Sequence, residues 1–400
     1  MTKTPKFSVL LPTRNRSHVV HHAIHSVLNQ TVRDLELVIS DNSSNDETAK
    51  LVAGISDERI QYFRTERMLG MPDNFENSLS KSRGEWITLL PDDCALSSRA
   101  FEIIESALQA CPSDLAVWDW WHYYPENAQE PGRRNQYVQR PFSGAIRYEK
   151  SSDSLGNLFR MTHGRTLPRP YQSCVKRTLM DELRARVGRA FPPPAPDYTF
   201  LMAILALTKQ FTFIDLPLML SNAGDTSPHA SPAAFSRFLD ELGEAKKGGW
   251  MPIKIPVIHP TTILVESMCR MQATMPELAG YELDLVNYLV DFKNLLTVYR
   301  QDGYPVAFEQ GKFDEFIAEV PLATRLKVEL AYTKLVAKEE VKKQLKRVVL
   351  KVPTLERLAG MAANRLVIRG ERESFRDIEG AMRHLEATFR IVAPRAPNAA

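Results

Sequence analysis

Along the N-terminal half of the chain, short apolar runs alternate with stretches of helical periodicity. Phe7 to Leu11 reads FSVLL and is closed by Pro12; Ser17 then stands as a helix cap before a helical stretch through Gln30. Leu35 to Ser40 (LELVIS) is a second buried strand, ending in the polar cluster Asp41-Asn42-Ser43-Ser44-Asn45-Asp46 ahead of another helical segment. Ile60 to Arg64 is a third strand, Asn74 to Lys81 a helix, and Trp86 to Leu90 (WITLL) a fourth strand that runs into Pro91-Asp92-Asp93. Leu115 to Tyr124 (LAVWDWWHYY) has the aromatic character of a fifth strand, and Pro125 to Gly144 reads as a loop. Thr199 to Lys209 is apolar enough for a buried helix, and Phe211 to Leu220 follows as a strand.

This rhythm predicts an α/β fold with a mostly parallel sheet flanked by helices, and such sheets place ligands at the carboxyl ends of their strands. The clusters at Pro12, Asp41 and Pro91 all fall at such ends. After Ser221 the texture turns polar and proline-containing (SNAGDTSPHASPAAF), and helical patterns run from Pro260 onward. A boundary near 230–250 divides the chain into an α/β domain, residues 1–235, and a mainly helical region, residues 236–400.

Composition narrows the function classes. The formal charge is +3 with a pI near 8.5, too weak a bias to imply a nucleic-acid partner. Cys94, Cys111, Cys174 and Cys269 show no paired spacing, which argues against a disulfide framework or a zinc knuckle and fits a reducing cytoplasm. Charged residues interrupt every longer hydrophobic stretch, so the expectation is a protein that is soluble or peripheral on a membrane.

Asp92-Asp93 is the strongest chemical signal. Two adjacent carboxylates at a strand end are hard ligands suited to Mg²⁺ or Mn²⁺, ions that complete their shell with phosphate oxygens and water. Pro-Asp-Asp is equally a good turn sequence, and the residues alone leave both readings open. The wider pattern resembles the family 2 glycosyltransferases of the GT-A fold over roughly residues 5 to 225. Five pieces appear in that family's order: SVLLPTRNR, SVLNQTVRDLELVISDNSSNDET, LGMPDNFENSLSKSRGEWITLLPDD, YQSCVKRTLMD, and APDYTFLMAIL with FTFIDLPL behind it.

The resemblance implies a GT-A domain with a C-terminal helical extension, moving a sugar from a nucleoside diphosphate donor to an acceptor hydroxyl with inversion. It assigns Pro12, Thr13 and Arg14 to nucleotide contact and matches Asp41 to the acid that meets a pyrimidine ring, favouring UDP or dTDP. A carboxylate suits the N3–H donor of uracil or thymine, because charge-assisted hydrogen bonds are the stronger kind; an Asx turn or helix cap is the rival role for Asp41. Asp92 and Asp93 match a shortened Asp-x-Asp element, with Asp92 on the nucleotide side and Asp93 as the direct ligand of Mn²⁺ or Mg²⁺. Asp197 matches the catalytic base, with helix capping as its rival role. This chain departs from the family at Pro196, where an acid is usual, and at Asp73-Asn74, where an arginine is usual. His229, in the segment after the last strand, is a candidate third metal ligand.

Three further features carry alternatives. His18, His22 and His25 have a spacing able to chelate zinc, but no acid or cysteine completes the set, and a histidine-rich helix face is the simpler reading. The run Trp118, Trp120, Trp121, Tyr123, Tyr124 can stack on a sugar acceptor, while strand alternation sends part of it to the core. From Arg325 to Arg357, ten basic residues face four acidic ones on a probable helix, which fits an anionic membrane carrying a lipid-linked saccharide acceptor or a solvated helix. The expected setting is the cytoplasm, at the inner face of the membrane in the first case, within surface polysaccharide or glycolipid synthesis. Rival readings of the whole are a nucleotidyltransferase, which needs a Gly-rich phosphate loop that Leu11 to Asn15 does not form, and a non-catalytic carbohydrate-binding protein.

Overall fold

A computed structural model of the chain describes residues 3–128, 134–162, 164, 166–223, 255, 260–301, 303, 305–349, 366–369 and 375–389. The sheet is built on β1 (Phe7–Thr13), whose seven residues are all buried between β2 (Leu35–Asp41) and β4 (Trp86–Leu89). β3 (Ile60–Arg64) extends it beyond β2, and these four strands are mutually parallel. Their near-continuous Val, Leu and Ile runs follow from burial on both faces, which a parallel sheet covered by helices requires.

On the other side of β4, β9 (Ser173–Lys176) lies antiparallel between β4 and β6 (Leu115–Tyr124). β6 in turn runs parallel to the long β10 (Gln210–Asn222). β5 (Cys94–Leu96) and β8 (Ile146–Lys150) pair antiparallel with β10. The expected mostly parallel sheet is therefore present in its central strands, with β9 the antiparallel exception among them.

Helices cover both faces. α1 (Ser17–Leu28), α2 (Glu47–Ala53) and α4 (Ala100–Ala110) add apolar side chains to one core. α3 (Met71–Lys81), α5 (Ser151–Phe159), α6 (Arg177–Val187) and α7 (Pro196–Leu207) line the opposite one. That second core continues into α8 (Pro260–Thr274), α9 (Leu285–Gln301), α10 (Ala307–Glu319) and the start of α11 (Leu322–Val349) through Met268, Phe292, Phe313 and Val328. Gly84 lies against β1, where an added Cβ would stand 2.6 Å from the Ser8 nitrogen, so no larger residue fits.

Some expectations change. Arg16 occupies the cap of α1, and the Ser17 hydroxyl instead donates to Glu47 at 2.8 Å. The stretch read as a loop contains β7 (Gln136–Gln139), and the mainly helical C-terminal region also supplies one strand, β11 (Leu366–Arg369). Both strands exist because β6 outruns β9, which pairs only with Leu115 to Val117, leaving an edge at His122 to Tyr124 that β7 fills and β11 extends.

The last helix, α12 (Ile378–Phe389), buries Ile378, Ala381, Met382 and Leu385 in the same core as α1. Its Glu379 lies 2.6 Å from His22 Nδ1 and 3.5 Å from His25 Nδ1, and its Glu386 accepts from the Ser98 backbone N–H and hydroxyl. The acid that sequence proximity denied to the histidine face thus arrives from the far end of the chain. Even so, among the described residues no group of three or more His, Cys, Asp or Glu side chains is arranged to hold a metal ion.

Candidate functional site

The carboxyl ends of β1, β2 and β4 converge. The parallel register sets Thr13 level with Asp41, and Leu10 level with Leu89, so the chain leaving β4 brings Asp92 up beside Thr13. The Thr13 hydroxyl donates to Asp92 Oδ2 at 2.7 Å, and both residues are buried. One nitrogen of Arg16, Nη1, donates to Asp92 Oδ1 at 2.9 Å and to Asp93 Oδ2 at 3.2 Å, bridging the two acids. Burial pushes the Asp92 carboxyl above its usual range; Arg16 opposes that shift, and the like charge of Asp93 adds to it. Asp93 Oδ1 accepts from the Cys94 thiol at 3.5 Å, and burial holds that thiol well above its ordinary pKa, keeping its proton for the bond.

Of the residues read as nucleotide contacts, Pro12 and Thr13 are buried and Arg14 is partly exposed. Asn15 takes a left-handed φ of 56° and ties this turn to the next strand end: its amide accepts from Ser44 N–H at 2.9 Å while its own N–H donates to Ser43 Oγ at 2.9 Å. Asp41 is fully buried. Its Oδ1 accepts the Ser43 N–H at 2.9 Å, the Asx-turn bond, and its Oδ2 accepts the Tyr62 hydroxyl at 2.6 Å. Burial, then this bond to Asp41, raises the Tyr62 pKa. At Asp73-Asn74, Arg189 donates to Asp73 at 2.8 Å, and the Asn74 side chain is buried against Ser40.

A second group gathers around the start of α7. Ala195 caps that helix and Pro196 opens it, so Asp197 sits inside the first turn rather than at the cap. The partly buried Asp197 carboxylate accepts the Tyr198 N–H, and burial raises its pKa against the opposing pull of Arg169. The Arg169 guanidinium bonds the Tyr198 hydroxyl and lies over its ring, 6.0 Å from the centroid. Tyr171, whose pKa is raised first by burial, is within electrostatic reach of Asp197 on one side and of Cys94 on the other. Tyr171 thus feels the charge of Asp197 and lies near Cys94, the residue after Asp93. A surface cleft of about 300 Å³ lined by Ser151, Leu155, Lys209 and Tyr281 does not include any of these residues. His229 lies outside the described residues.

Arg16, Tyr62, Arg169 and Tyr171 were not singled out from sequence. Arg16 ends the SVLLPTRNR segment, one helical turn from recognised residues, and its position there was the available signal. Tyr171 opens the YQSCVKRTLMD piece and Tyr62 lies within the third strand, whereas Arg169 stands just outside any quoted piece.

Residues 8–171 match the model of the family described as Glycosyl transferase family 2. The matched segment contains Pro12, Thr13, Arg14, Asp41, Asp92 and Asp93 and ends before Asp197. The chain is 39% identical over 103 residues to a GalNAc(5)-diNAcBac-PP-undecaprenol beta-1,3-glucosyltransferase of Campylobacter jejuni, covering 25% of this chain and 33% of that protein. It is 33% identical over 86 residues to the UDP-Glc:alpha-D-GlcNAc-diphosphoundecaprenol beta-1,3-glucosyltransferase WfgD of Escherichia coli, covering 22% of this chain and 34% of the relative. The aligned part thus spans about a third of each curated relative's length. Staphylococcus aureus TarS 1-349 in complex with UDP-GlcNAc superposes with a TM-score of 0.48 at 14% identity, covering 85% of this chain and 92% of that one.

Proposed function

We propose that this chain transfers a sugar from a UDP- or dTDP-linked donor to a hydroxyl of a saccharide or lipid-linked saccharide acceptor, with inversion at the anomeric carbon. The observation that carries this reading is Asp197: a partly buried carboxylate of raised pKa, set in the first turn of α7 past the Ala195 cap position and under the opposing charge of Arg169. A raised pKa makes a carboxylate a better proton acceptor at neutral pH. In the proposed step the acceptor hydroxyl gives its proton to Asp197 as its oxygen bonds to the anomeric carbon. The bond from that carbon to the diphosphate oxygen breaks on the opposite face, and the electron pair leaves with the diphosphate.

Asp93, with Asp92 beside it, is the residue to hold Mn²⁺ or Mg²⁺. The donor set fits: two hard oxygen ligands already balanced around one cationic group, Arg16, and few enough to leave positions for phosphate oxygens and water. A divalent ion bound there supplies charge neutralisation for the departing diphosphate. His229 remains the proposed additional ligand.

Asp41 receives the pyrimidine N3–H in this reading. Since Asp41 is enclosed and already holds the Tyr62 hydroxyl, that contact requires Tyr62 to move aside on donor binding. The UDP-Glc in the name of the Escherichia coli relative favours a UDP donor, and the undecaprenol-linked acceptors named for both curated relatives favour a lipid-linked saccharide.

Peripheral contact with an anionic membrane at its cytoplasmic face follows from the same acceptor class. α11 exposes Leu322, Leu326, Leu330, Val336 and Val341, and Lys327, Lys334 and Lys338 are also exposed on it. Among the described residues no helix is long and apolar enough to cross a membrane. The test of the donor reading is a thermal-shift screen of UDP-, dTDP- and GDP-sugars with and without Mn²⁺, followed by assay of transfer. Stabilisation by a UDP- or dTDP-sugar is expected, on the order of 2.7 kcal/mol at a hundredfold excess over Kd. A response to GDP-sugars alone refutes the pyrimidine assignment.

A further inference from the structure

β6 separates its aromatic residues by face. Trp121 and Tyr123 are fully buried, against Tyr137, Phe142, Phe375 and Phe389. Trp120, His122 and Tyr124 alternate with them and keep part of their surface open. The register locates this open face: His122 is level with Ser221 of β10, and Ser221 with Cys94 of β5, the residue after Asp93. Residues level across a sheet project to the same side. The open aromatic face therefore lies on the side of the sheet to which Cys94 projects. Trp120 meets Tyr171 edge-on, with centroids 6.3 Å apart and planes at 90°, and packs against His122 at 4.5 Å. Tyr171 in turn lies two residues from Arg169, whose guanidinium sits over the ring of Tyr198, the residue after Asp197, 6.0 Å from its centroid.

We propose that Trp120, held upright by Tyr171 and His122, is the platform on which the acceptor's terminal hexopyranose lies, directing a hydroxyl of that ring to Asp197. A pyranose presents C–H groups on one face and hydroxyls around its rim. An indole of fixed orientation takes up such an apolar face, and polar groups beside it fix the direction of the rim. Trp120 is suited to this, because its strand position and its two aromatic neighbours already restrict its rotation; the Arg140 guanidinium, 5.9 Å from its ring centroid, holds that place until the sugar displaces it. The platform distinguishes acceptors by which ring face is free of axial hydroxyls, making Trp120 a determinant of acceptor specificity. This inference rests on the transfer reaction proposed above.

The test uses the full chain and the n-octyl glycosides of glucose, galactose, N-acetylglucosamine and N-acetylgalactosamine as acceptors. Trp120→Ala is expected to raise the KM of the preferred glycoside about 30-fold, the usual scale for a tryptophan anchor. Trp120→Phe recovers most of that loss, and the Kd for UDP measured by calorimetry stays within about twofold of wild type in both variants. Saturation-transfer NMR supplies a readout independent of turnover. One face of the sugar ring receives most of the saturation in the wild type, and that pattern disappears in Trp120→Ala while its melting temperature is retained. An unchanged KM and epitope in Trp120→Ala overturns the platform, as does failure of all four glycosides to show any ring contact. A loss of UDP affinity equal to the loss of acceptor affinity overturns it too, by assigning Trp120 to the donor. A wild-type protein that neither binds nor turns over any nucleotide sugar refutes the transfer reading itself, whereas the NMR epitope still decides the platform.

Discussion

Arg16→Met removes the one guanidinium that bridges the two acids at the end of β4. In its absence Asp92, with 8% of its side chain exposed, and Asp93, with 13%, are left side by side without that counter-charge. Stripping one partner from a buried ionic pair costs about 3–5 kcal/mol. Here Arg16 keeps 33% of its own surface in water, and Asp92 retains the Thr13 hydroxyl, so the larger part of that cost is screened or compensated. A loss of about 2 kcal/mol is the expected result, equivalent to a fall of roughly 4–8 °C in the melting temperature of a domain this size. The sign reverses for metal. Because the guanidinium and a divalent ion compete for the same negative charge, Mn²⁺ is expected to bind Arg16→Met more tightly than wild type and to restore most of the lost stability. Differential scanning calorimetry with and without Mn²⁺ measures both effects. A variant that melts with the wild type in the absence of metal, or that drops equally with and without Mn²⁺, refutes the account of Asp92-Asp93 as a cation site balanced by Arg16.

Other perturbations probe the remaining parts. Asp93→Ala should fold normally and lose the Mn²⁺-dependent gain in UDP affinity; calorimetry that still shows the gain would mean the pair is only a turn. Gly84→Ala places a Cβ 2.5 Å from Ser8 Oγ and 2.7 Å from the Phe7 carbonyl carbon in the central strand, so a loss of about 1–3 kcal/mol is expected by chemical denaturation. An unaltered midpoint would show that β1 yields more readily than a buried parallel strand should. Sedimentation with anionic vesicles should capture the protein at low ionic strength and release it near 1 M salt, where charges are screened beyond about 3 Å. Replacing Leu326 and Leu330 with Glu should abolish capture, and equal binding to neutral vesicles contradicts an electrostatic contact.

The central strands were legible because burial on both faces leaves long apolar runs, as in FSVLL and WITLL, that end sharply at Pro12 and Pro91. The rank of polar groups at those ends follows from the parallel register and needs no more than sequence order to anticipate. What stayed hidden was set by distant pairing. β7 carries the short sequence QYVQ, and β11 reads LVIR within a helical region; each becomes a strand because a neighbouring edge is free, which no local propensity records. The Ser17 cap failed for a similar reason, since Glu47 competes for that hydroxyl from the next helix. In the site, Asp41 was identified by its strand end, but its enclosure by Tyr62 depends on the alignment of β2 with β3. Asp197 was recognisable as an acid opening a helix, whereas its freedom from capping depends on where Ala195 and Pro196 set the first turn.

The most direct test of the proposed mechanism is the transfer rate of Asp197→Asn. A sugar hydroxyl attacks slowly until its proton is accepted, and Asn keeps the shape of Asp while removing that basicity. Loss of a general base typically costs a hundred- to ten-thousandfold, about 3–5 kcal/mol of activation free energy. Because burial raises the Asp197 pKa, the wild-type rate should climb with pH through a limb lying above the ordinary carboxylate range, and that limb should vanish in the variant. Donor affinity and melting temperature measured on the same preparation report whether the site is otherwise intact. The account predicts unchanged UDP-sugar binding with transfer reduced by at least a hundredfold; full transfer by Asp197→Asn, with the acid limb still present, would contradict it.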